Sequence, residues 1–302
     1  MIEILEAPPF ATVQDAGFAG GRSWGLPPGG AMDPFFHGLA NRLVGNPPGT
    51  AAIEWALGSG VLRLTRKATL AVVGLARVQL NDAILAAPAF VFPVRAGTRV
   101  RIEPDTQHRF SYLAVAGGIR VPEVLGSRST YLPGGFGGYS GRLLRTGDRL
   151  ELGKPVAAPE IEIGVTTTNR PFAANRDVWL RVTRGPQWDR FDQRSREAFF
   201  SGRFQLAPAS DRMGYRLVGP SIHPRGKATL PSEAACPGAV QIPDGGQPIV
   251  LMPDGPTVGG YPKIAVVIQA DLRLLAQCLP DRGIRFKEVS LEAARACYSP
   301  AR

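Results

Sequence analysis

Along most of this chain apolar and polar residues alternate at every second position. Val61-Leu62-Arg63-Leu64, Thr98-Arg99-Val100-Arg101-Ile102, Asp148-Arg149-Leu150-Glu151-Leu152 and Val178-Trp179-Leu180-Arg181-Val182 each turn their apolar side chains to one pleated face, which predicts half-buried strands. Ala68 to Gly74 and Pro248 to Met252 are continuously apolar, the pattern of strands covered on both faces, and Gly or Pro brackets most such runs. Helical spacing is confined to three places. The clearest starts at Asp33 as N-cap with Pro34 next, continues through Phe35, Phe36, Leu39, Ala40 and Leu43, and stops at Gly45-Asn46. The others run from Trp188 through Phe191, Ala198 and Phe199 to Gly202, and from Asp271 through Leu274, Leu275 and Cys278 to Pro280. Because helices do not alternate with strands, a doubly wound parallel sheet is disfavoured. The expectation is a mainly β protein of two barrels or sandwiches with a few inserted helices. Pro, Ala and Thr accumulate between Lys154 and Arg176, which places the boundary there and gives expected domains of 1–160 and 170–302.

Length agrees with two domains: 302 residues is about twice a typical domain. An apolar fraction of 44% with 20% charged residues is that of a globular protein, and 36 Gly with 28 Pro predict many turns. Thirty-five basic residues against 25 acids give a formal charge of +10, which suits an anionic substrate or an acidic partner. The basic residues form no run and few aromatics lie among them, so nucleic-acid binding is not expected. Cys236, Cys278 and Cys297 are widely spaced and odd in number, which suits reduced thiols and a cytoplasmic location. The start, Met1-Ile2-Glu3-Ile4-Leu5-Glu6, carries acids where a secretory signal needs basic residues. The apolar stretches Ala68 to Ala76 and Ala83 to Val94 are too short for a membrane helix, so no membrane association is expected.

Phosphate-loop, dinucleotide, esterase-elbow and zinc-protease motifs are all missing from the sequence. His37, His108 and His223 lie too far apart to suggest a metal site, and none is expected. Three polar stretches remain. Gly126-Ser127-Arg128-Ser129-Thr130-Tyr131, with Gly134 to Gly138 and Arg142, brings hydroxyls and guanidinium groups to a backbone that a ligand can approach closely. It reads equally as an anion site, with Ser127, Arg128 and Ser129 binding substrate, or as a turn whose hydroxyls satisfy their own backbone. The densest stretch spans Ser232-Glu233, then Gly238 to Gly246 with Gln241, then Asp254 and Gly259-Gly260-Tyr261-Pro262-Lys263. Here Lys263, Glu233, Tyr261 and Asp254 are the candidate catalytic residues, with Lys263 suited to a developing oxyanion and a carboxylate suited to an amide nitrogen. Gln241 is a candidate for substrate binding; the alternative is a pair of hairpins with surface charges. In Ser210 to Arg216, Arg212 is either a substrate ligand or a partner for a neighbouring carboxylate.

In order along the chain, Val13-Gln14-Asp15-Ala16-Gly17, Gly29-Gly30-Ala31-Met32-Asp33, Ala40 to Asn46, Glu54 and Ala116-Gly117-Gly118-Ile119 form a recognisable series of blocks. The series continues through Gly126 to Thr130, Gly147-Asp148, Gly185-Pro186-Gln187, Asp211 to Leu217 and Gly259 to Ala265. Over nearly its whole length the chain resembles the biotin-dependent carboxyltransferase-like family, also called allophanate hydrolase subunit 2. The resemblance implies a pair of cyclophilin-like β-barrel domains. It also implies an ATP-dependent 5-oxoprolinase that opens the lactam of 5-oxoproline to glutamate. The implied partners are an allophanate hydrolase subunit 1 homologue, which is the B chain of 5-oxoprolinase, and the A chain of the same enzyme. The same resemblance admits biotin-dependent carboxyl transfer to urea or another amide, with Lys263 and Tyr261 on carboxybiotin. No methionine precedes a lysine here, so biotin would arrive on a separate carrier. A third implication is a regulator that binds a kinase-inhibitor-like subunit 1 homologue. Two departures from the family pattern stand out: Ala234 follows Ser232-Glu233 where Gly is usual, and Gly255-Pro256 replaces Arg-Gln after Asp254.

Overall fold

The structure is a computed structural model that describes residues 1–81, 83–104, 108–155, 177–227 and 229–297. The chain is mainly β, as the alternation predicts, and it divides into two units with one principal sheet each. Residues 1–19 and 29–155 belong to the first unit, and residues 20–28 and 177–297 to the second. The segment 20–28 thus leaves the N-terminal half of the sequence for the second unit, where the Arg22 guanidinium donates to the carbonyl of Ala235. The proline-rich stretch read as the boundary lies, from residue 156 to 176, outside the described residues.

The first unit's strands are β1 (Ile2–Glu6), β2 (Phe10–Gln14), β3 (Ala52–Ala56), β4 (Gly60–Leu64), β5 (Ala68–Leu80), β6 (Ala83–Val94), β7 (Arg99–Pro104), β8 (Phe110–Val115), β9 (Ile119–Arg120) and β10 (Arg149–Leu152). They form one antiparallel sheet in the order β2-β3-β8-β5-β7-β4-β1-β10-β9, with β6 added against β5. Its core joins Ile2, Ile4, Val13, Ile53, Leu62, Leu70 and Val100, all but excluded from solvent. Helix α1 (Pro34–Leu43) packs on β5 and β8, which is why those strands are apolar on both faces. Asp33 caps α1 by accepting from the amides of Phe35 and Phe36, both at 3.1 Å, a contact worth about 1 kcal/mol. Buried Asn41 and Asn46 then tie the far end down: Asn41 donates to the Thr50 carbonyl and Asn46 to that of Val115, each at 2.8 Å. The Ala40 to Asn46 block is therefore a helix anchor.

The second unit contains β11 (Val178–Arg184), β12 (Gln205–Leu206), β13 (Gly214–Val218), β14 (Glu233–Ala234), β15 (Ala239–Gln241), β16 (Ile249–Leu251), β17 (Val258–Gly259), β18 (Lys263–Val267) and β19 (Ile284–Glu288). Seven strands pair in the order β12-β13-β16-β15-β18-β11-β19, antiparallel except for β11 with β19, while β14 and β17 make a small separate ladder. Helix α2 (Gln193–Ser201) covers β19, and Phe199 stacks on Phe286 with ring centroids 4.4 Å apart. The helix expected from Trp188 is interrupted: Asp192 takes the N-cap role and accepts from Ser195, so residues 188–190 form only a short 3-10 turn. The third expected helix is α3 (Gln269–Ala276), and α4 (Leu291–Ala296), capped by Ser290, was not foreseen from its sparse apolar pattern.

Candidate functional site

The second unit collects four of the polar groups singled out by sequence or position. A register shift between Val240 and Gln241 re-aims β15 so that Gln241 pairs with Lys263, the first residue of β18. Lys263 has a side chain only 3% exposed, and its ammonium is paired with Oε1 of Glu233, whose side chain is 41% exposed. The same Oε1 accepts from Nε2 of Gln187 at 2.7 Å. Gln187 is itself held at both ends of the Lys263 peptide: its Oε1 accepts from the Lys263 amide at 3.0 Å, and its own amide donates to the Lys263 carbonyl at 3.3 Å. Two hydrogen bonds to one oxygen leave the other oxygen of Glu233 without a protein partner among the described residues.

Gln241 completes the group. It is buried, and its Nε2 has no hydrogen-bond acceptor among the described residues, although nearly all buried amides have one. A Cβ at Gly259 would lie 2.6 Å from that nitrogen, so the glycine is what lets the amide sit against β17. Gly259 is in turn the ladder partner of Glu233, which brings the orphan donor to the same small hairpin as the carboxylate. Electrostatics follow the geometry. The Lys263 ammonium, aided by the Gln187 amide, holds the Glu233 carboxyl below the usual carboxylate range, against a smaller opposing effect of burial. The site therefore gathers a buried ammonium, a buried amide N–H₂ without an acceptor and an unused oxygen on a part-exposed carboxylate, groups whose chemistry matches the C=O acceptor and N–H donor of a small amide.

The other residues expected in a site are placed differently. Tyr261, two positions before Lys263, is 39% exposed and its hydroxyl has no hydrogen bond among the described residues. Asp254 does not join Glu233. Both its oxygens are taken by Arg212, through Nε at 2.8 Å and the terminal nitrogen at 2.9 Å, with both side chains buried. Asp254 and Arg212 are thus committed to each other, the pairing that sequence alone left open for Arg212. Gly255 packs beside them: a Cβ there would lie 2.6 Å from the Met213 carbonyl, so this backbone has no room for the arginine usual in the family.

Ser127, Arg128 and Ser129 belong to the first unit, where they serve Asp15. Its carboxylate accepts from both serine hydroxyls and from the Arg128 amide, each at 2.6 Å, and from the Gly17 amide at 2.8 Å. The Arg128 guanidinium pairs at the surface with Glu123. These hydroxyls turn to a carboxylate distant in sequence and not to their own backbone; only Ser127 Oγ also serves its own turn, accepting from the Ser129 amide at 2.9 Å. A second buried network in this unit joins Glu54 to the Tyr112 hydroxyl at 2.8 Å and to the Met32 amide at 2.7 Å. Burial first, and then the Glu54 charge, push the Tyr112 hydroxyl well above its usual range. His37 is buried edge-on to Tyr112 with Nε2 on the Gln14 carbonyl, and burial lowers its ring below the usual value.

Sequence reasoning assigned no role to Gln187. The available signal was its place after Gly185-Pro186 at the end of β11: a Cβ at Gly185 would lie 2.2 Å from the Lys263 carbonyl, so this turn closes directly onto the lysine.

Fold and site together define a two-unit β protein whose second unit carries a buried ammonium paired with a part-exposed carboxylate and flanked by amides. The family described as carboxyltransferase domain, subdomain A and B, matches residues 24–288, and the chain belongs to it. It is 40% identical to the 5-oxoprolinase C subunit of Escherichia coli over 97% of this chain and 93% of that protein. It is 37% identical to the 5-oxoprolinase C subunit of Haemophilus influenzae, with the same coverage. Among solved structures, the Kluyveromyces lactis urea carboxylase superposes with a TM-score of 0.88 at 32% identity, over 97% of this chain but only 28% of that one.

Proposed function

We propose that the chain is the C subunit of an ATP-dependent 5-oxoprolinase, acting with partner subunits to open the lactam of 5-oxoproline to glutamate. The observation that carries this reading is the convergence of Lys263, Glu233, Gln187 and the orphan Nε2 of Gln241, together with the names of the two bacterial relatives. In the net reaction water adds to the ring carbonyl carbon and the ring C–N bond breaks. The nitrogen leaves as the amine of glutamate, and a second water takes up the terminal phosphoryl group of ATP to give ADP and phosphate. An unstrained lactam resists hydrolysis near neutral pH, and ATP supplies activation of the carbonyl oxygen when it is bound in the complex. The Lys263 group does not fit a triphosphate: its single ammonium is already paired with Glu233, and its remaining groups match the C=O and N–H of an amide and not a row of phosphate oxygens. We therefore assign ATP to another place in the assembly. Lys263 and Gln241 would donate to the lactam oxygen, and the unused oxygen of Glu233 would accept from the ring N–H and orient it.

The likeness to urea carboxylase supports a second reading, carboxyl transfer from biotin on a separate carrier to an amide nitrogen such as that of urea, in which the same donors would hold the acceptor. Co-expression with the partner subunits, followed by measurement of 5-oxoproline-dependent and urea-dependent ATP hydrolysis side by side, distinguishes them. The first reading expects glutamate and ADP in equal amounts only with 5-oxoproline, and at least a hundredfold loss of turnover in folded Lys263→Ala. Unchanged turnover in that variant overturns the site assignment. Turnover with urea and a biotin carrier alone overturns the substrate.

A further inference from the structure

The glycine loop from Gly134 to Gly141, which the lactam reaction leaves unused, borders a hollow of about 560 Å³ in the first unit. Arg120, Arg149, Glu151, Phe136 and Tyr139 line it together with the loop backbone. We propose that this hollow binds a small phosphate-bearing ligand.

The loop lies directly against residues 129 and 130. A Cβ at Gly137 would lie 2.1 Å from the Ser129 carbonyl, and one at Gly138 would lie 1.8 Å from the Thr130 hydroxyl oxygen. Side chains are therefore excluded at Gly137 and Gly138, where the loop meets residues 129 and 130. The amides of Gly135, Phe136 and Gly141 are used within the loop, donating to Leu132, Tyr131 and Gly137. Those of Gly137, Gly138, Tyr139 and Ser140 have no acceptor among the described residues. Their backbone sits in an unusual conformation: φ is +72° at Gly137 and +50° at Gly138, is not positive at Tyr139, and is +58° at Ser140. The sign of φ alternates from Gly138 through Tyr139 to Ser140, and such alternation is the backbone pattern of anion-binding concavities. Ser140 is not a glycine, so holding it at positive φ costs conformational energy that the surrounding fold must offset.

Charge points the same way. Arg142, the guanidinium nearest in sequence, is consumed by both oxygens of Asp148. Arg120 and Arg149 line the hollow, and Arg149, with a side chain 66% exposed, shares the carboxylate of Glu3 with Arg63. Glu151, the ladder partner of Arg120, is the one carboxylate in the lining. Two guanidinium groups and a row of unused amides exceed what one carboxylate ligand can accept from. A phosphate, with more acceptor oxygens and a second negative charge, matches the set.

Titration of the full chain with pyrophosphate at low ionic strength, followed by calorimetry and ³¹P line broadening, tests this, with ADP as a parallel arm to tell a nucleotide from a free phosphate. Saturable binding of either at one site per chain is expected. The Arg120→Gln/Arg149→Gln double variant should weaken it at least tenfold, whereas Arg194→Gln on α2 should not change it. Glu151→Gln should tighten it severalfold, a gain that misfolding cannot mimic. Lys263→Ala should leave it intact, so this result stands apart from the lactam reading. Absence of saturable binding, equal loss in Arg194→Gln, or equal binding of succinate with the same arginine dependence overturns the proposal.

Discussion

Asp254→Asn is expected to act on stability before it acts on chemistry. The Asp254 side chain is 1% exposed and that of Arg212 is 6%, and two parallel hydrogen bonds join them. Asparagine keeps the shape, but it offers one acceptor in place of two and turns an N–H₂ toward a guanidinium, so the buried arginine loses its counter-charge and one of the two hydrogen bonds that Asp254 supplies. Breaking a buried pair from one side costs about 3–5 kcal/mol. For a unit of this size each kcal/mol moves the thermal midpoint by about 3–4 °C, so the fall should be about 10–20 °C. Circular dichroism of heat and urea unfolding measures it. The double variant Arg212→Met/Asp254→Leu should recover much of the loss, because it leaves no orphaned charge. If Asp254→Asn unfolds within about 0.5 kcal/mol of the parent while turnover in the assembled complex disappears, the carboxylate faces substrate and its structural assignment to Arg212 is refuted.

Gly259→Ala places a methyl where the Gln241 amide lies, so it should reduce kcat/KM by at least tenfold in steady-state assays while altering stability by no more than about 1–2 kcal/mol. Glu233 has a carboxyl lowered by Lys263, so its contribution to stability is full above the ordinary carboxylate value and is lost as pH falls through the lower folded value. Acid unfolding of Glu233→Gln should be correspondingly flatter in that window. His37 is lowered by burial, so its neutral ring opposes protonation and stability should decline as pH drops below the ordinary histidine value near 6.5. Urea midpoints measured from pH 7 to 5 should show that decline in the parent and less of it in His37→Gln.

Local chemistry explains what the sequence disclosed. Period-two runs such as Val61 to Leu64 are strands because one face is buried, and α1 begins at Asp33 because that carboxylate meets two free amides. Lys263 and Glu233 were legible as chemistry-bearing types beside glycine turns. Their pairing was not, since it depends on a ladder between β14 and β17 that brings residue 233 beside residue 259. Gln187 was illegible as a site residue for the same reason: it reaches Glu233 only through a turn folded onto β18. Asp254 misled because a carboxylate in a loop gives no local sign that its counter-charge lies at Arg212. The serines at 127 and 129 likewise depend on Asp15, more than a hundred positions earlier.

The departure of residues 20–28 from their neighbours has a consequence for how the molecule is made. Arg22 emerges from the ribosome early, yet the carbonyl it binds is 213 positions downstream. The second unit therefore includes residues from the start of the chain, and a fragment beginning near residue 177 would lack the segment 20–28 and its hydrogen bond to Ala235. Synthesis must hold this early stretch open until the last third of the chain arrives, which makes closure of the second unit a late, long-range step.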